Sequence, residues 1–367
     1  MKIIKEWIRV GGRLLKIGGP AGSGKSYIIP LIIDIVGEDN CILMTPTGKA
    51  ATNLQKAGLE AKTIHSVIYH VQGEDEDEDE GFNIFDKNHA KLSQLTKDYE
   101  EGDPKFMLKD PNTFDDKQLF IIDEGSMVGG KLLKDILSFN VPVLMVGDPN
   151  QLAPVNDTIV YNTCDYYLDE IVRQAAGSPV IWLSQQALHG SIRQGMYGNC
   201  MVRKGEPEDG ELMYADIVLT DTNKRRFSLN TKMRQLYFNC EVESWLEEGD
   251  HVICRSNSPE YRSTMGFMLT NGTQGVVEEI KHRNEVAAEF RMSNLDLGSY
   301  TLTGTGYPTK FPPKKRPPKI ELGYAITVHL SQGSEWCNVI YDVSSDLTRK
   351  SLYTAITRAK ESLLITL

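Results

Sequence analysis

The chain has 367 residues, 40% hydrophobic and 25% charged, with a net charge of −10. That length exceeds one small core and implies two or three domains, and the composition excludes a fibrous, disordered or membrane-spanning chain. No apolar run approaches the roughly 18 residues of a membrane span, and Met1 to Val10 lacks a secretory leader's apolar stretch, so the expected location is intracellular, in the cytoplasm. Six cysteines, at 41, 164, 200, 240, 254 and 337, form no C-x-x-C pair, which points away from both a zinc cluster and a disulfide framework.

In chain order, Leu14 to Gly18 reads as a buried strand and Ser26 to Val36 as a helix. Between them Gly19-Pro20-Ala21-Gly22-Ser23-Gly24-Lys25-Ser26 satisfies the spacing G-x-x-x-x-G-K-[ST]. The glycines let backbone N–H groups turn onto phosphates, Lys25 brings a point charge to the β/γ oxygens, and Ser26 offers a hydroxyl to Mg²⁺. A strand follows at Cys41 to Thr45, and Pro46-Thr-Gly-Lys-Ala-Ala-Thr opens a helix; Thr63-Ile-His-Ser66 comes next.

Glu74 to Glu80 is an uninterrupted run of seven acids, seven of the ten excess negative charges; such a run is expected to be a solvated loop. Gln118 to Ile122 is an apolar strand ending in Asp123-Glu124. There Asp123 can hold the Mg²⁺ that Ser26 also touches while Glu124 orients and deprotonates a water. The strand Val141 to Val146 ends in Gly147-Asp-Pro-Asn-Gln151-Leu-Ala-Pro154, which places Gln151 at a strand end to sense a γ-phosphate or its water. Alternation of strand and helix to about residue 155 predicts a parallel sheet.

Further on, Asp216 to Asp221, Cys337 to Val343 and Ser362 to Thr366 are short apolar strands suited to a second sheet. Residues 246–307 instead carry strand-like pieces separated by Gly/Asn turns, the texture of a small barrel. Lys310 to Lys319 interleaves five cations with four prolines, an extended piece that serves either as a linker or as a strap along a nucleic-acid backbone.

The ordered set Gly-Pro-Ala-Gly-Ser-Gly-Lys-Ser, Thr-Pro-Thr-Gly-Lys-Ala-Ala, Thr-Ile-His-Ser, Ile-Asp-Glu-Gly-Ser-Met and Gly-Asp-Pro-Asn-Gln-Leu-Ala-Pro resembles motifs I, Ia, Ib, II and III of superfamily 1 helicases. Glu170-Ile-Val-Arg173-Gln is similar to motif IV, and Thr222-Asn-Lys224 resembles the family's Thr-Asn-Lys element. Tyr324-Ala-Ile-Thr-Val-His-Leu-Ser-Gln-Gly-Ser-Glu335 is similar to motif V, and Leu352-Tyr-Thr-Ala-Ile-Thr-Arg358-Ala-Lys360 to motif VI. The wording is closest to the RecD/Dda-like 1B branch, and the likeness runs from about residue 12 to the end.

What the resemblance implies is an α/β fold of two RecA-like P-loop lobes. Lobe 1A would comprise 1–66 and 117–160 and lobe 2A 161–245 and 308–367, with a 1B insertion at 67–116 and an SH3-like β-barrel 2B insertion at 246–307. It implies an ATP- and Mg²⁺-dependent 5′-to-3′ DNA helicase acting on single-stranded and forked duplex DNA, with a single-strand-binding protein or replication, recombination and repair proteins as partners. Alternatives are an RNA helicase, a protein-stripping translocase, or a nucleotide-gated clamp that does not hydrolyse. By the same resemblance Arg173 and Arg358 reach the γ-phosphate from the second lobe, and Gly333 and Glu335 join the nucleotide site. Thr47, Lys49, His65, Asn223, Lys224, Thr327, His329 and Ser331 would contact DNA. Two features depart from the branch: no glutamine occurs in the eleven residues before Gly12, leaving base specificity open, and the 67–116 segment offers only scattered aromatics (Phe82, Phe85, Phe106) where a duplex-splitting pin belongs.

Overall fold

Runs such as Leu-Phe-Ile-Ile and Val-Leu-Met-Val carry no charge and no alternation, because both faces of a parallel strand are covered. The computed structural model describes residues 2–71, 106–154, 157–170, 177–239, 246–283, 288–304, 318–344 and 348–367. The acidic run Glu74 to Glu80, Phe82, Phe85, Arg173 and residues 310–317 of the proline-rich piece lie outside the described residues. The chain divides into two compact units: Met1–Tyr69, Leu108–Phe227 and Ile326–Leu367 form one, and His70–Met107 with Ser228–Ala325 form the other.

The first unit holds two six-stranded sheets. One runs in spatial order Ala61–Thr63, Cys41–Thr45, Leu119–Ile122, Val143–Gly147, Leu14–Gly18, Tyr166–Tyr167, and every neighbouring pair is parallel. Successive residues feed opposite cores. Leu119, Ile121, Leu144 and Val146 pack with Ile29 and Ile32 of the helix Lys25–Val36, while Phe120, Ile122, Val143 and Met145 pack with Ile136 and Phe139. The helix Lys2–Arg9 adds Ile4 to the first of these cores.

The second sheet runs Ala325–Thr327, Ile217–Thr220, Trp336–Asp342, Ala359–Thr366, Cys200–Arg203, Gly195–Tyr197. Pairing is parallel from Ile217–Thr220 through Cys200–Arg203, and Gly195–Tyr197 closes the edge antiparallel. Strand boundaries shift by one to three residues from those expected, and the last strand begins at Ala359 rather than Ser362. Two helices matter below: Pro179–His189 and Arg349–Ile356, the latter capped by Thr348, whose side chain accepts from Ser351 N–H.

In the second unit, residues 246–283, 288–304 and 318–322 include a five-stranded antiparallel sheet in the order Gly298–Gly304, Ala288–Asn294, Gln274–Arg283, His251–Cys254, Ile320–Leu322. Register shifts between Val277 and Glu279 and between Ile280 and His282 mark bulges that bend the long strand. The strand-and-turn texture read from the sequence is therefore an antiparallel sheet with a small hairpin, Ser258–Arg262 against Met268–Leu269. No helix among the described residues is long and apolar enough to cross a membrane.

Candidate nucleotide site

The phosphate loop leaves the C-terminal end of the strand Leu14–Gly18 and enters the helix Lys25–Val36. Gly22 and Gly24 adopt positive φ of 79° and 80°, which a side chain would resist, and Gly24 caps the helix with no side-chain bond to its first-turn amides. An uncapped N-terminus of this kind presents N–H groups and the positive end of the helix dipole to an anion. Lys25 Nζ donates to the carbonyls of Gly19 (2.7 Å) and Pro20 (2.8 Å) within its own loop. Burial pushes its pKa down, opposed by the carboxylates of Asp148, Glu124 and Asp123, while the Arg358 charge pushes it down further. Ser26 is exposed in the first helical turn beside it.

The acid pair sits where the neighbouring strand Leu119–Ile122 ends. Asp123 N–H donates to Met44 O at 3.0 Å, and Asp123 Oδ1 accepts from Glu124 N–H at 2.9 Å. Burial, then the Glu124 charge, raise the Asp123 carboxyl to about 7 against the pull of that N–H and of Lys25. Glu124 has φ 53°, a left-handed conformation that costs a non-glycine residue on the order of 1–3 kcal/mol and that clusters at functional sites. The turn is wedged against Gly147, where an added Cβ would lie 3.0 Å from the backbone nitrogens of Gly125 and Ser126. Gln151 is 5% exposed, and its buried Oε1 has no hydrogen-bond partner. A buried acceptor left open at a strand-end site calls for a water or ligand donor.

From the second sheet, Arg358 arrives just past the helix Arg349–Ile356. It is 4% exposed, and its guanidinium donates to Thr354 O (3.1 Å), Ser334 O (3.2 Å) and Thr357 Oγ1 (3.1 Å). These acceptors are all neutral. A buried cation held without a carboxylate is expensive unless an anion completes its surroundings, and its field already reaches Lys25. Tyr353 and Asp148, which the sequence reading passed over although both stand inside the quoted motifs, are fully buried and hydrogen-bonded to each other at 2.5 Å. Gly333, at φ 74°, accepts from Asn53 Nδ2 through its carbonyl at 2.7 Å, and an added Cβ would touch Ala50 Cβ at 3.4 Å. Glu335 is exposed and pairs with Lys360 at 3.8 Å rather than turning toward the phosphate loop.

These residues fit a magnesium-bound nucleoside triphosphate. The loop amides and Lys25 suit its phosphates. Asp123 and Ser26 would be the protein oxygens for such a metal, and no group of three His, Cys, Asp or Glu among the described residues makes a self-contained metal cage. That is the usual arrangement for Mg²⁺, which keeps waters and phosphate oxygens as its other ligands.

The residues expected to touch DNA differ in exposure and in the bonds they already make. Thr47 caps its own helix, accepting from Ala50 N–H at 3.3 Å. Lys49 Nζ lies 5.0 Å from the centre of the Trp336 ring, a cation–π contact with the second sheet. His65 and His329 are exposed, and Asn223 and Lys224 are exposed at the start of the helix Asn223–Phe238. Thr327 is half-buried and accepts from Leu330 N–H at 3.4 Å. Ser331 is fully buried, and its Oγ donates to Val328 O at 2.7 Å. That hydroxyl belongs to its turn, not to a surface.

The parallel sheet, glycine loop and strand-end acids define a P-loop nucleotide-binding protein with a second α/β layer set beside the loop. Residues 1–199 match the AAA domain family and residues 322–366 the UvrD-like helicase C-terminal domain. The chain belongs to the AAA-domain family. It is 28% identical to the ATP-dependent RecD2 DNA helicase of Deinococcus radiodurans over 96% of this chain and 46% of that protein. It thus spans about half the length of that relative. Its fold is similar to those of Pif1 helicase from Bacteroides in complex with ADP-AlF3 and ssDNA (TM-score 0.56, 20% identity, 99% of this chain and 91% of that one) and Pif1 helicase from Candida albicans (TM-score 0.58, 17% identity, 100% and 93%).

Proposed function

We propose that this chain is an ATP-driven DNA helicase that hydrolyses Mg²⁺-bound ATP and moves 5′ to 3′ on single-stranded DNA. The observation that carries the reading is Arg358: a buried guanidinium with only neutral acceptors, in the field of the phosphate-loop lysine and supplied by the second sheet. A site completed by a charge from a second layer makes hydrolysis depend on how the two layers approach, which is what a motor requires. In this reading Lys25 and the loop amides hold ground-state phosphates, and Asp123 with Ser26 positions the metal. Glu124 deprotonates the attacking water, and Gln151 Oε1 accepts a hydrogen bond from that water's other O–H.

In this reading the two six-stranded sheets serve as lobes 1A and 2A, with 67–116 and 246–307 as the 1B and 2B insertions. The RecD2 relative is an ATP-dependent DNA helicase by name, and the Bacteroides Pif1 structure contains ssDNA; both support DNA over RNA. Direction of movement rests on resemblance to the 1B branch, as do forked DNA, a single-strand-binding protein and replication or recombination proteins as partners. ATP-dependent unwinding of matched forks with a 5′ or a 3′ tail, in DNA and in RNA, tests the whole reading. Unwinding of the 5′-tailed DNA fork is expected, whereas preference for a 3′ tail removes the chain from the branch's polarity and ATP turnover indifferent to nucleic acid removes the motor.

A further inference from the structure

The helix Arg349–Ile356 grips the Gln151-bearing loop of the first sheet with one face. Lys350, Tyr353 and Thr354 stand at the i, i+3, i+4 spacing that aligns side chains on a helix. Lys350 Nζ donates to Pro149 O at 2.9 Å, Tyr353 Oη donates to Asp148 Oδ2 at 2.5 Å, and Thr354 Oγ1 accepts from Leu152 N–H at 3.0 Å. Gln332 Nε2 donates to Leu152 O at 3.1 Å from the same side. The segment that carries Gln151 is thus held at four points by groups of the second sheet. One of those groups does more. Tyr353 Oη also accepts from Ala21 N–H of the phosphate loop at 2.9 Å, so a single hydroxyl joins three pieces of chain with its donor and an acceptor lone pair both in use. The junction is dry: Tyr353 and Asp148 are each 0% exposed. Asp148 Oδ1 is fixed in turn by Asn150 N–H at 3.0 Å. Arg358 stands one turn beyond Thr354 and donates to its carbonyl, so whatever moves this helix moves the arginine.

We infer that Tyr353 is a positioning residue that ties the phosphate loop, the Asp148–Leu152 loop and the Arg358-bearing helix into one unit, so that Gln151 and Arg358 reach the reacting phosphate together. The inference rests on the reading above for the reaction it serves. A tie of this kind sets the geometry of the transition state rather than the affinity for ground-state nucleotide, which the remaining loop amides and Lys25 supply.

Tyr353→Phe keeps the ring and removes only the hydroxyl. With saturating single-stranded oligonucleotide, kcat for ATP should fall by at least about tenfold, while KM and the affinity for Mg-ADP stay within about threefold of wild type. In nucleotide-free protein, amide exchange should quicken in both residues 19–24 and residues 148–152, since one hydroxyl serves both. Thr354→Val, which removes the acceptor for Leu152 N–H while preserving side-chain volume, should lower kcat in the same way. The double variant should lose less than the product of the single losses, because both cut the same tie; the single Thr354→Val carries the test if Tyr353→Phe melts. Wild-type kcat in both variants, a change in KM alone, or faster exchange in only one of the two segments would overturn the inference. A wild-type protein that hydrolyses no ATP would overturn the functional reading instead, and the exchange measurement would then decide the tie by itself.

Discussion

Replacing Arg358 by alanine separates two quantities that the structure holds apart. The guanidinium makes three hydrogen bonds, to Thr354 O, Ser334 O and Thr357 Oγ1. Thr354 O keeps another donor in Thr357 Oγ1 at 2.9 Å, so the truncation leaves chiefly Ser334 O to be resatisfied. An orphaned buried carbonyl costs about 1–3 kcal/mol. Removing a buried cation that has no acid partner offsets part of that, and the melting temperature should drop by no more than a few degrees. Nucleotide affinity should stay within a few-fold of wild type: to reach a phosphate the arginine must exchange existing bonds for new ones, and the exchange becomes favourable only as charge builds on the γ-phosphoryl group. DNA-stimulated turnover should fall by on the order of 10³ or more, about 4 kcal/mol, the scale of an arginine finger. Arg358→Lys should rescue poorly, because a point charge lacks the planar fork. Calorimetric ATP affinity, melting temperature and kcat measured on one preparation decide the matter. A loss confined to affinity, or no loss in either quantity, would make Arg358 a structural residue and leave Arg173 to serve the γ-phosphate.

Glu124→Gln should keep Mg-ATP and DNA binding and abolish turnover, whereas Lys25→Ala should weaken nucleotide binding itself; wild-type hydrolysis in the glutamine variant would refute the assigned base. Asp123 has its folded pKa raised to about 7 above an unfolded value near 3.9, so between those values the folded state binds the proton more tightly. Metal-free stability should therefore decline as pH rises from about 4 to about 7, by up to ~1.4 kcal/mol per unit. Asp123→Asn should lose that slope in pH-dependent denaturant melts, and an unchanged slope would show the group is not perturbed. Gly147→Ala, whose Cβ would meet the Gly125 and Ser126 nitrogens at 3.0 Å, should destabilise by about 1–3 kcal/mol and slow turnover by moving the acid pair; full stability and activity would show that the turn relaxes freely. Deleting Glu74 to Glu80 should leave ATPase activity intact and tighten salt-sensitive DNA binding by removing like-charge repulsion, and a chain that unfolds on deletion would contradict the solvated-loop reading.

The glycine loop was legible because phosphate binding needs backbone freedom at fixed positions, and Gly22 and Gly24 do take the positive φ their spacing implied. The first sheet was legible because strands buried on both faces must be apolar throughout, as Leu119–Ile122 and Val143–Gly147 are. Glu124 was placed at the correct strand end, yet its left-handed backbone had no signature, since no glycine or asparagine announces it. Side-chain direction was least legible. Ser331 was read as a DNA contact from its motif, but the turn after Ala325–Thr327 points its hydroxyl inward, and Lys49 leans on Trp336, more than 280 residues away. Tyr353 reads as an ordinary core aromatic in sequence; its role depends on a loop some 200 residues upstream that no local pattern can bring to it.

The charges around the phosphate loop clarify why the site is divided between two sheets. Lys25 stands among three carboxylates, Asp148, Glu124 and Asp123, with the Arg358 charge also bearing on it. Three acids against two bases make a poor receptacle for a polyanion, and the local chemistry answers in two ways. Asp148 is held by the Tyr353 hydroxyl and the Asn150 amide instead of by a cation, which spreads its charge without spending Lys25. Asp123 has its carboxyl pKa raised by burial and then by the Glu124 charge, so a nearby cation favours its charged form. Lys25 therefore stays available for phosphate. In the proposed reading the further positive charge comes from the second sheet through Arg358, which would make hydrolysis depend on that residue.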